Sequence, residues 1–122
     1  MMTKVTRMLP IRVLIKDDLA RVRAALLDLK SQQRCTSYGA LATAVGLDGA
    51  GRIARLTTML EMLMEDDTRA GRPMLAALVL SRTGQGLPAR GFFLKAESLG
   101  HDVAQPEEFH RKQLAALFEA QG

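Results

Sequence analysis

The chain has 122 residues, 48% apolar and 25% charged, with a net charge of +4, a balance that excludes a wholly disordered chain and fits one core. No apolar run has the length needed to cross a bilayer, and Met1 to Arg12 lack the apolar stretch of a secretion signal, so a cytoplasmic protein with no membrane partner is expected. The single cysteine, Cys35, excludes an internal disulfide and agrees with a reducing compartment.

The charge is unevenly spread. Residues 1–60 hold ten Lys or Arg against four Asp or Glu, whereas residues 61–122 hold seven against nine. Leu9 to Ile15 are rich in branched residues and predict a short edge strand, since Pro10 cannot donate to a ladder. From Asp17 the pattern turns helical: Asp17 or Asp18 supplies a cap, and Leu19, Val22, Leu26 and Leu29 share one face of a helix ending near Arg34. Its other face carries Arg21, Arg23 and Lys30.

Ser37 opens a short helix, Tyr38 to Val45, with Leu41, Ala42 and Val45 inward and Gly46 as its stop. Asp48 and Gly49 make a tight connection to a second helix. There Ile53, Leu56, Leu60 and Leu63 form the buried stripe, which runs to about Met64 before a loop over Glu65 to Gly71. Met74 to Leu80, after Pro73, predict a buried strand. Ser81 to Gly91, with three glycines and Pro88, read as an exposed loop or wing flanked by Arg82 and Arg90. Phe92 to Leu99 predict a short helix stopped by Gly100. A last helix starts at Pro106, with Glu107 and Glu108 at its positive end and Leu114, Leu117 and Phe118 inward. The expected fold is a mainly α single domain over 1–122 with a small β element: a winged helix-turn-helix-like architecture with its paired helices at about 37–64 and its wing at 81–91.

The segment Ser37 to Arg52, SYGALATAVGLDGAGR, resembles the helix-turn-helix of the alkylguanine-DNA alkyltransferases and the non-enzymatic alkyltransferase-like proteins. Tyr38, Gly39, Leu41, Ala42, Gly46, Gly49 and Arg52 fall at matching positions, and a looser likeness extends through Pro73 to Gly86. The resemblance implies a winged helix-turn-helix whose second helix enters the minor groove. Tyr38 then sits near the phosphate of a rotated nucleotide, and Arg52 fills the gap left in the base stack, a task suited to a planar, permanently charged guanidinium. Where that family carries Pro-Cys-His-Arg, this chain has Pro73, Met74, Leu75, Ala76. A thioether cannot form the attacking thiolate, so repair activity is expected to be absent.

The residues themselves admit plainer roles. Tyr38 also suits a turn tyrosine packed on the core, and Arg52, Arg55, Arg82 and Arg90 also suit solvated positions. Gly49, Ala50 and Gly51 favour contact with phosphates because small residues at a helix start leave amides accessible. No Lys-Ser/Thr follows them, which argues against a nucleotide loop. Cys35, His101 and His110 lack zinc spacing, and no catalytic nucleophile, metal or cofactor is expected. The candidate nucleic-acid residues are therefore Ser37, Tyr38, Gly49, Gly51, Arg52, Arg55, Arg82 and Arg90, with duplex DNA as the partner and phosphate contacts added by basic residues 4–34. Methionines 59, 62, 64 and 74 raise an alternative of another class: an inhibitor, immunity or adaptor protein with an adaptable apolar surface for a protein partner or a second copy.

Overall fold

The computed structural model describes residues 11–83 and 85–119. The chain is mainly helical with one small sheet: α1 (Ile11–Leu14), α2 (Lys16–Ser31), β1 (Thr36–Ser37), α3 (Tyr38–Ala44), α4 (Arg52–Arg69), a 3-10 turn (Leu75–Leu78), β2 (Val79–Leu80), α5 (Arg90–Ser98) and α6 (Pro106–Glu119). The apolar stripe of α2 lies where its spacing places it, with Val22 and Leu26 buried and Leu19 and Leu29 packed alongside. The core cluster adds Leu41 and Ala42 from α3, Leu56, Leu60 and Leu63 from α4, Phe92 and Ala96 from α5, and Leu117 from α6.

At its centre lies the run Met74 to Val79, buried at every residue. It folds as a 3-10 turn with a two-residue strand rather than as the expected continuous strand. Two side chains secure it. Gln113 of α6 accepts the Met74 amide (2.9 Å), and the buried His110 donates from Nε2 to the Ala77 carbonyl (2.8 Å). Because the carbonyl can only accept, that ring nitrogen carries the hydrogen.

The strand pair is parallel, with Thr36 beside Val79 and Ser37 beside Leu80. It sets the first residue of the helix-turn-helix next to the start of the loop that follows β2. A wing would be an antiparallel hairpin, but among the described residues 81–89 form no strand. The loop is instead closed by the Ser81 amide donating to Leu87 (2.8 Å), and the buried Pro88 has no amide with which to extend a ladder.

Three further expectations change. Ile11–Leu14 are a helical turn rather than an edge strand, while Leu9 and Pro10 lie outside the described residues. The N-cap of α2 is Ile15 with no side-chain hydrogen bond, and Asp17 and Asp18 occupy the first turn, where a negative charge faces the positive helix end. The second helix of the pair runs to Arg69, beyond Met64, because its acidic residues have partners on other elements. Glu65 meets Lys95 (2.6 Å) and Arg12 (3.1 Å), and Asp66 meets Arg12 (3.2 Å) and Arg23 (3.3 Å). Asp67, 1% exposed, accepts from Arg72 (3.0 Å) and from the Leu75 amide (3.0 Å), and so fixes the turn that leads into the core.

Each of α2, α3, α4 and α5 ends in the same way: the amide two residues past the cap returns to a carbonyl in the last turn, as in Arg34 to Leu29 and Leu47 to Ala42. The residue between must be left-handed. Glycine fills that place after α3, α4 and α5, whereas after α2 it is Gln33, at φ 55°.

Candidate nucleic-acid interface

Ser37 begins α3 in extended conformation, and its Oγ accepts the Ala40 amide (3.1 Å). Its hydroxyl is therefore a helix cap, and the parallel pairing fixes its backbone. Tyr38, half-buried, packs against the core, while its hydroxyl accepts the Ala89 amide (3.1 Å). Burial raises the phenol above its ordinary value, opposed by the hydrogen bond from Ala89, so it keeps its proton at neutral pH.

The turn between α3 and α4 uses left-handed backbone at Gly49 (φ 81°) and Gly51 (φ 77°). Both glycines shape the connection, and Gly51 is the N-cap of α4 with no side chain to occupy the free amides beyond it. Arg52 and Arg55 fold back over this turn. Arg52 donates to Thr43 Oγ1 (3.0 Å) and the Leu47 carbonyl (3.3 Å), and Arg55 donates to the carbonyls of Ala50 (3.0 Å) and Asp48 (2.7 Å). Neutral carbonyls orient a guanidinium without cancelling its charge.

Tyr38, Arg52 and Arg82 come together along one groove of about 410 Å³, whose walls also include Gly39, Ile53, Thr57, Ser81 and Ala89. Of these further wall residues, none was among the sequence candidates for the interface. Ile53 was expected inward, but it is 40% exposed, at the edge of the buried stripe and four residues before Thr57 on the same side of α4. Ser81 and Ala89 reach the groove only through the strand pair and the loop, which leave no local trace in the sequence. Arg55 lies at the start of α4 outside the groove lining, and Arg90 follows Ala89 as the first residue of α5.

The distribution of ion pairs separates the arginines into two sets. Arg12, Arg21, Arg23, Arg69 and Arg72 each face a carboxylate, as do Lys95, Arg111 and Lys112. Arg34, Arg52, Arg55, Arg82 and Arg90 pair with no carboxylate among the described residues; Arg34 donates to Gln32 Oε1 (3.3 Å), and the side chains of Arg82 and Arg90 are without hydrogen-bond partners there. Of the basic residues 4–34 expected to add phosphate contacts, Arg12, Arg21 and Arg23 are engaged by Asp18 and by the acidic end of α4, whereas Lys16 and Arg34 have no carboxylate partner among the described residues. Lys4 and Arg7 lie outside the described residues. Asp48, in the turn, and Glu61, beside Tyr38, are the acidic residues nearest in sequence to Arg52 and Arg55.

Burial raises the Cys35 thiol above its ordinary value, which favours the unreactive thiol over the thiolate. Among the described residues no group of His, Cys, Asp and Glu has a metal-holding arrangement, and no helix is long and apolar enough to cross a membrane. Methionines 59, 62, 64 and 74 are all buried. Compared with known proteins, the chain matches no family model, and no curated protein or solved structure matches it significantly.

Proposed function

We propose that this chain is a non-catalytic, cytoplasmic DNA-binding protein of helix-turn-helix, alkyltransferase-like type, engaging duplex DNA with the start of α4 and the groove beside it. One observation carries the proposal: Arg52 and Arg82 line a groove with Tyr38, and they belong with Arg34, Arg55 and Arg90 to the arginines without carboxylate partners among the described residues. Uncompensated guanidinium groups beside an uncapped helix start suit a polyanion, because they replace condensed cations on phosphates and orient by hydrogen bonding. The motif from Ser37 to Arg52 narrows the polyanion to DNA. The buried methionines leave the competing protein-binding role without the adaptable surface that motivated it.

The test is a fluorescence titration of a labelled duplex at several salt concentrations, with Arg52→Ala and Arg82→Ala alongside the parent chain. Affinity should fall steeply with salt, and both variants should bind more weakly at every concentration. Salt-independent binding, or two variants indistinguishable from the parent, would remove this surface as the DNA site.

A further inference from the structure

Ala89 is the residue that caps α5, and among the described residues of the stretch 81–89 its amide alone has a side chain of the helix-turn-helix as acceptor: the Tyr38 hydroxyl at 3.1 Å, 51 residues away in sequence. At its other end the stretch emerges from β2, which pairs with β1 immediately before Tyr38. Between these two attachments the loop contributes Ser81, Arg82 and Ala89 to the groove. The loop's own backbone closure is Ser81 to Leu87 (2.8 Å), supplemented by Ser81 Oγ accepting the Thr83 amide (3.3 Å). Arg82 itself is exposed and has no hydrogen-bond partner among the described residues, so its position depends on the loop that carries it.

We infer that the Tyr38 hydroxyl is a positioning group: by accepting the Ala89 amide it clamps the 81–89 loop to the helix-turn-helix and thereby holds Arg82 at the wall of the groove. This differs from direct phosphate contact, the role implied for Tyr38 by the resemblance. The hydroxyl oxygen accepts the Ala89 amide and the ring is packed against the core; the O–H hydrogen, which is what a phosphate would accept, is tested separately by the double variant. The importance of Arg82 for DNA rests on the proposed function; the clamp itself does not.

Tyr38→Phe keeps the ring and deletes only the acceptor. In the free protein, hydrogen exchange followed by NMR should show the Ala89 and Ser81 amides exchanging about tenfold faster, with the amides of α4 unchanged. Unchanged exchange at Ala89 and Ser81 would overturn the clamp, and so would a uniform acceleration that includes α4, since that reports global destabilisation. In duplex titrations, Tyr38→Phe and Arg82→Ala should each weaken binding, and the double variant should be no weaker than the worse single one. Additive losses would instead assign the hydroxyl its own DNA contact and overturn the positioning role. If the parent chain fails to bind duplex, the DNA proposal falls, and the exchange measurement alone decides the clamp.

Discussion

Gln33 occupies the left-handed position after α2 where the other interior helices have glycine. A side chain there costs about 1–2 kcal/mol, partly offset by the extra freedom that glycine has in the unfolded chain. Gln33→Gly should therefore raise stability by a net of about 0.5 kcal/mol, read as a higher midpoint in thermal unfolding. Asp67 presents the opposite case. Its buried carboxylate is satisfied by Arg72 and by the Leu75 amide, with Arg23 at 3.5 Å. Asp67→Ala strands that amide and removes charge-assisted hydrogen bonds, but the partly exposed arginines can rehydrate. A loss of about 2–3 kcal/mol in urea unfolding is expected, below what a fully buried ion pair would give.

At the level of elements, the acidic end of α4 is held by cations from three other segments. Lys95 of α5 keeps Glu65 below its ordinary carboxylate range, burial opposes it, and Arg12 adds to the lowering. The pairing therefore contributes stability above the unfolded glutamate value, about 4.3, and loses it as pH falls through the lower folded value. Glu65→Gln should be less stable than the parent at neutral pH, and the difference should shrink below about pH 4 in urea unfolding followed across pH.

The same element explains which parts of the fold could be read from the sequence. The stripes of α2 and α4, the Ser37 cap and the glycine stops are local patterns, and they mark the paired helices correctly. Glu65 to Asp67 read as a loop because charge alone does not reveal partners at Arg12, Arg23 and Lys95, which are distant in sequence. The run from Met74 to Leu80 announces burial, but apolar residues without alternation do not distinguish a strand from a 3-10 turn. In the groove, Tyr38 and Arg52 were singled out by the sequence resemblance and Arg82 stood out as a flanking charge. Ile53 was obscured by its place at the border of the apolar stripe, and Ser81 and Ala89 by their dependence on the parallel pairing.

Across the whole molecule, Arg12, Arg21 and Arg23 of the basic first half meet carboxylates, whereas Arg34, Arg52, Arg55, Arg82 and Arg90 have no carboxylate partner among the described residues. If Arg52, Arg55, Arg82 and Arg90 each met one phosphate, the slope of log affinity against log salt would be about −3 to −4. Each Arg→Ala change should reduce its magnitude by about 0.9, measurable in the same titrations. The groove is also a product of distant joining, since one wall belongs to the segment after Ser37 and the other to the segment after Leu80. A ribosome that has released only the two paired helices has therefore made the motif without the cleft. The cleft itself is completed late in synthesis, once the second strand has emerged and docked, so a nascent chain presents no surface of this shape before then.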